Sequence, residues 1–103
     1  MNKVMFTGKI DSITDIKKNK YGQDTIRFTM EVDDESPKRT KSHPQFLLYG
    51  ESAKDVYGKL KEGSLVYVEG IFHTSEYGYY ITPTRIEKML GNKTIPDVIL
   101  RKE

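Results

Sequence analysis

Residues 63–70 read GSLVYVEG, a run of strand-forming Leu, Val and Tyr bracketed by glycines, and no other stretch constrains the fold as tightly. A helical pattern stops at Gly63. The strand continues through Ile71, Phe72, His73 and Thr74, then turns back through a tip carrying Tyr77, Gly78, Tyr79 and Tyr80. The expectation is a buried barrel strand feeding an aromatic hairpin. Tyrosines at an exposed hairpin tip, in a small chain rich in strands and lysines, point to bases stacking on a basic sheet.

The other elements follow from hydrophobic periodicity. In residues 3–16, Val4, Phe6, Gly8 and Ile10 alternate with Lys3, Met5, Thr7 and Lys9, as in a half-buried first strand. Gly8 marks a bend or close backbone approach, and the more polar residues 11–16 are expected to curl out of the sheet. A basic turn with Lys17, Lys18, Lys20 and Tyr21 follows. The clearest period-two signal is residues 25–32, with Ile26, Phe28, Met30 and Val32 on one face and Arg27, Thr29 and Glu31 on the other. Residues 33–42, DDESPKRTKS, lack apolar side chains and read as a long, mobile hairpin loop. The third strand, residues 45–49, sets Phe46 and Leu48 against Gln45, Leu47 and Tyr49.

A helix is predicted over residues 52–62, capped by Ser52, with Asp55 at its third position, a stripe of Ala53, Val56, Tyr57 and Leu60, and Gly63 as its end. Residues 79–89 return as the fifth strand, where Pro83 implies an edge position or a bulge. Residues 91–103 carry Ile95, Val98, Ile99 and Leu100, too apolar for a solvated tail, so this extension is expected to pack on the domain of residues 1–90 or on a neighbouring subunit. Strand, strand, strand, helix, strand, strand is the order of an OB-fold: all-β, a five-stranded barrel with one short helix between strands three and four.

With 103 residues there is room for one domain. No Cys is present, which removes disulfides and thiolate metal sites, and no early apolar run offers a signal peptide or membrane span, so the expected compartment is the cytoplasm. Seventeen Lys and Arg against fifteen Asp and Glu leave a formal charge of +2, so a polyanion partner has to be argued from where the charges sit. The two histidines, His43 and His73, stand in different elements, and no paired carboxylates or Gly-rich phosphate loop accompany them. The reading is therefore of a non-enzyme without cofactor or metal.

A sequence-tolerant binder of single strands needs flat rings for bases and cations for phosphates. Leu47 and Tyr49 stand on the outward face of strand three, Tyr77 and Tyr79 at the strand four to five hairpin, and Tyr21 in the first loop. Lys3, Lys9, Lys17, Lys18, Lys20, Lys38, Arg39 and Lys41 lie on or beside these elements. Tyr67 and Tyr80, with apolar strand neighbours, read equally as core or subunit-interface residues. Tyr77, between Glu76 and Gly78, has little intrachain surface to cover.

GSLVYVEG, together with the opening Asn2-Lys3-Val4-Met5-Phe6-Thr7-Gly8, resembles the bacterial single-stranded DNA-binding (SSB) family, whose domains open on N-K-V-x-L-x-G and carry a G-S-x-V-Y-V-E-G strand. The likeness runs from residue 1 to about 90, with a looser match at Leu47-Leu48-Tyr49-Gly50. It implies a base-stacking role for Tyr49. It also sets His43 and Tyr77 where family members carry stacking tryptophans, which implies weaker stacking here, since the chain has no Trp. Replication-type members end in an acidic tip that recruits other enzymes, whereas this sequence ends Ile99-Leu100-Arg101-Lys102-Glu103. The resemblance thus points to a reduced, plasmid-, phage- or element-borne member, or a primosome-type accessory.

The expected function is sequence-tolerant single-stranded DNA binding in replication, recombination or repair, as a homotetramer ahead of a homodimer. The competing expectation is a protein-interaction adaptor that docks on a helicase, polymerase or primase. Assembly is expected because Met5, Val66, Phe72 and the apolar residues of the tail exceed what so small a monomer encloses.

Overall fold

The structure, a computed structural model, describes residues 1–38, 40–90 and 93–102, and for residues 93–97 the backbone alone. Among the described residues, eight strands and one helix follow in the order β1 (Val4–Ile13), β2 (Lys17–Lys18), β3 (Asp24–Asp33), β4 (Lys41–Ser42), β5 (Gln45–Tyr49), α1 (Glu51–Val56), β6 (Leu65–Ser75), β7 (Gly78–Leu90) and β8 (Lys93–Arg101). Five of them close a ring. β1 pairs with β3, β3 with β5, β7 with β6 and β6 with β1, all antiparallel, and a parallel contact at Phe46 and Ile81 joins β5 to β7. The two-residue strands β2 and β4 add to β3, and β8 lies antiparallel on β7. This is the expected OB-fold barrel, with the helix between the third and fourth of the long strands.

The inward alternation fills the barrel. Ile10, Ile26, Phe28, Met30, Phe46, Leu48, Val66, Val68, Ile81 and Ile86 are buried, and Ala53, Val56 and Leu60 close one end from the helix and the turn after it. Phe28 and Phe46 stack at 4.6 Å in the centre.

β1 serves two neighbours, and this corrects the expectation for residues 11–13, while residues 14–16 lie outside the strand. Rather than leaving the sheet, the strand passes a bulge between Ile10 and Ser12 and pairs Ser12 with Thr29 and Ile13 with Phe28. Its first half pairs with β6, so one strand joins both sides of the barrel. Gly8 makes the crossing possible: a Cβ there would collide with the Glu31 carbonyl and sit 3.2 Å from Val32 Cγ2.

The helix is shorter than predicted and differently capped. Gly50, at φ 70°, is the N-cap, and its N–H donates to the Asp24 carbonyl at 2.8 Å. Ser52 therefore falls inside the helix and is buried, and Asp55 is its fifth residue. Tyr57 leaves helical geometry with ψ 126° and is half exposed, so the stripe of four keeps three buried members. Gly63 does not end the helix; it opens the turn into β6, donating its N–H to the Ile10 carbonyl at 2.8 Å.

Pro83 sits opposite a bulge at Glu69 and Gly70 in the β6–β7 ladder, not at an edge. Gly70 permits that contact, since a Cβ would lie 2.8 Å from the Thr82 carbonyl oxygen. In the C-terminal extension Ile99 and Leu100 are buried by this same chain, as is Val66 of β6, so the apolar surplus is smaller than the sequence implied. Gly91, Asn92 and the side chain of Ile95 lie outside the described residues. No helix among the described residues is long and apolar enough to cross a membrane.

Candidate nucleic-acid interface

Because β3 and β5 turn Ile26, Phe28, Phe46 and Leu48 inward, their alternate residues form the outer surface, and the register pairs them across the two strands. Thr25 stands opposite Tyr49, Arg27 opposite Leu47 and Thr29 opposite Gln45. Tyr80 of β7 extends this surface. The result is a shallow groove in adjoining recesses. One of about 340 Å³ is lined by Asn19, Tyr21, Thr25, Arg27, Leu47, Tyr49 and Tyr80. The next, about 200 Å³, shares Arg27, Leu47 and Tyr80 and adds Ser12, Thr14, Thr29, Gln45 and Tyr79. A third, about 310 Å³, begins at Tyr79 and runs past Phe72 and His43 to the mouth of the barrel.

Five of the residues singled out from sequence, Tyr21, Leu47, Tyr49, Tyr79 and His43, thus line one continuous surface. Tyr49 is 43 % exposed, enough ring area to receive a base. Lys20 adds its ammonium over the Tyr21 ring, 5.2 Å from the centroid. Asn19 holds that loop by accepting the N–H groups of Tyr21 and Gln23 at 2.9 and 3.0 Å. Tyr77 stands apart at the β6–β7 tip, 92 % exposed.

Tyr80, Arg27 and Phe72 also belong to the surface. Tyr80 is half-buried, stacked on His73 at 4.9 Å, and lines both outer recesses. Its position was legible: Ile81 and Pro83 face inward, so Tyr80 faces out. Arg27 required the cross-strand register, which only the fold supplies. Phe72, taken from sequence as surplus apolar surface for assembly, is exposed and stacks on Tyr79 at 5.4 Å beside the groove.

The lysines divide. Lys17 and Lys20 flank the Tyr21 loop, while Lys18 is bound to Asp24 at 2.9 Å and holds that carboxyl below its usual range. Lys9 and Lys41 line a separate recess of about 430 Å³, which Glu31 and Asp33 line as well. Lys3 lies on the outer face of β6 and β7, 2.5 Å from Glu69. Lys38 is exposed in the loop between β3 and β4, and Arg39 lies outside the described residues.

That outer face is an ion lattice. Glu69 and Glu87 are only 7 % and 4 % exposed and are satisfied by Lys3, Arg85 and Arg101 at 2.5 to 3.2 Å. The Lys3 ammonium pulls the Glu69 carboxyl down, and the Glu87 carboxylate raises the Arg85 guanidinium. Burial pushes the neighbouring Tyr67 phenol up, and Arg85 lies over its ring at 5.9 Å. Among the described residues no three His, Asp or Glu side chains converge as metal ligands.

The model of the single-strand binding protein family matches residues 1–81 of the 103. This chain belongs to that family. Among solved structures it is similar to the protein priB from Ralstonia solanacearum (10 % identity, 86 % of this chain and 99 % of that one, TM-score 0.71). The N-terminal domain of PriB from Thermoanaerobacter tencongensis, described as dimeric, is 20 % identical over 86 % of this chain and 97 % of its own, with TM-score 0.68. A deletion mutant of the single-stranded DNA binding protein from Thermus aquaticus is 18 % identical over 94 % of this chain and 44 % of its own, also with TM-score 0.68. At these identities the likeness is one of fold. No curated protein matches the sequence.

Proposed function

We propose that this family member binds single-stranded DNA, without catalysis, along the groove from Tyr21 and Tyr49 to Tyr79. Bases stack on Tyr49, Tyr80, Tyr79 and Tyr21, with Leu47 as an apolar floor and Tyr77 as a reach from the hairpin, while Arg27, Lys17 and Lys20 take phosphates. The observation that carries this reading is the continuity of aromatic rings around an arginine whose guanidinium has no ion pair among the described residues. Stacking is worth about 1–3 kcal/mol per base and tolerates any base, because every base has a flat face. In an OB-fold this face and its two flanking loops are where oligonucleotides lie. Such a protein serves DNA replication, recombination or repair.

The protein acts as a homo-oligomer in this reading. Met5, Ile71, Leu90 and Val98 remain exposed after the chain has buried its own tail residues, and a similar structure is described as dimeric. A titration of labelled oligonucleotides across a salt series tests the reading: log affinity falls linearly with log salt, by about 0.7 per phosphate neutralised. Binding that ignores salt, or no binding, would sink it. Light scattering showing a monomer at micromolar concentration would remove the assembly.

A further inference from the structure

The middle recess of the groove, about 200 Å³, is lined by the aliphatic hydroxyls of Ser12, Thr14 and Thr29 together with Arg27 and the rings of Tyr79 and Tyr80. The hydroxyls are not equivalent. Ser12 and Thr29 bond each other at 2.7 Å, and Thr29 donates on to the Asp11 carboxylate at 3.5 Å, so both protons of that pair are used and an acid stands beside them.

Thr14 is placed otherwise. It follows the end of β1, yet it is bonded to Arg27 in both directions: its N–H donates to the Arg27 carbonyl at 2.9 Å, and its Oγ1 accepts the Arg27 N–H at 3.0 Å. The second bond fixes the hydroxyl as an acceptor toward β3 and leaves its proton without an acceptor among the described residues. The Arg27 guanidinium has no ion pair among them either. A neutral donor and a cation, on two backbone segments locked together by a pair of hydrogen bonds, therefore open into one recess.

Resting on the single-strand reading above, we infer that Thr14 and Arg27 together form a phosphate subsite, which holds one phosphodiester of the strand at the middle of the groove and so sets where the bases fall on Tyr49 and Tyr80. A phosphodiester offers charged oxygens to more than one donor. The guanidinium meets them with a rigid fork, and a hydroxyl that donates to a charged acceptor is worth more than one that donates to a neutral group. The Ser12 and Thr29 end does not serve, because its protons are used and Asp11 repels an anion there. Lys17 and Lys20 are point charges on flexible stems, which follow a backbone without fixing it. The subsite thus holds by geometry as well as by charge.

The test measures anisotropy of one labelled oligodeoxynucleotide at constant salt and across a salt series. Thr14→Val, which keeps the shape and removes the hydroxyl, should weaken binding about tenfold and leave the salt slope unchanged. Thr14→Ser should restore the affinity. Arg27→Lys should keep the slope and still lose affinity several-fold, because a point charge replaces the fork. In an Arg27→Gln background the further loss from Thr14→Val should shrink to roughly twofold, since two groups on one phosphate are coupled. A Thr14→Val loss of the same size in both backgrounds, as a purely structural role for the Thr14 bond to Arg27 gives, overturns the inference and leaves single-strand binding standing. So does no loss at all. Failure of the intact protein to bind the strand overturns both.

Discussion

Arg27, on the outer face of β3, has no ion pair among the described residues, whereas Arg85, on the outer face of β7, is gripped by Glu69 at 3.2 Å and Glu87 at 2.6 Å. Tyr49 and Tyr67 form a parallel contrast: the first is open at the groove, and the second is half-buried beside the ion lattice. Both faces therefore carry tyrosine and arginine on barrel strands, yet only one leaves them available. Proximity of cations to a sheet does not make a phosphate-binding surface. A cation already neutralised by a nearly buried carboxylate must abandon that partner, and the carboxylate would then stand uncompensated.

The two faces share β1, and the largest effect comes from breaking that strand. Gly8→Ala forces a Cβ into the Glu31 carbonyl and should cost about 3 kcal/mol, the top of the range for overpacking, seen as a lowered midpoint in urea. Unchanged stability would mean that the close approach is not a constraint.

Next in size, Tyr49→Ala with Tyr80→Ala should weaken single-strand binding by on the order of 100-fold or more at constant salt, with the circular dichroism spectrum retained. Tyr67→Ala should leave binding intact. Equal losses from the two faces would erase the contrast.

A smaller effect sharpens the electrostatic side. Arg27→Gln should reduce the salt slope by about 0.7, one phosphate, whereas Lys3→Gln should leave it unchanged. A slope that drops for Lys3→Gln would show that the lattice opens to bind DNA.

The smallest effect is on pH. The Lys3 hydrogen bond holds the folded Glu69 carboxyl below its ordinary value of 4.5. A depressed folded value stabilises the protein fully above the unfolded one and loses that contribution as pH falls through the folded value. Thermal melts of the intact protein should therefore fall more steeply below about pH 4.5 than those of Glu69→Gln. Asp24, lowered by Lys18, acts in the same window, so only the difference between the two proteins is diagnostic. Coincident profiles would show that Glu69 is not held by its partners.

Much of the barrel was legible because alternation is a local signal. Ile26, Phe28 and Met30 face inward wherever β3 is placed, and Gln45–Tyr49 follows from the same rule. The helix was less legible. Three of its four stripe residues, Ala53, Val56 and Leu60, are buried and Tyr57 is not, and its start depends on Gly50 bonding to Asp24, a residue distant in sequence, a contact that displaced the Ser52 cap. The tyrosines of the groove carried a signal in ring type, and Tyr49 also in strand parity, whereas Tyr80 read equally as a core or interface residue. The lysines carried none that could sort them, since charge count says nothing about which carboxylate a side chain will meet.

The sequence by itself determined the order of the barrel strands and the helix, the inward set of the first three long strands, the glycine where β1 crosses, and the family to which the chain belongs. Those are properties of spacing and residue type, set within a few neighbouring positions. Only the tertiary structure decided that Arg27 would stand opposite Leu47 beside Tyr80, that Lys3 would pair with Glu69, and that Phe72 would stack on Tyr79. Each of these is a contact between strands, fixed by register and bulge rather than by local pattern. A shift of one residue in pairing turns every side chain of a strand to the opposite face.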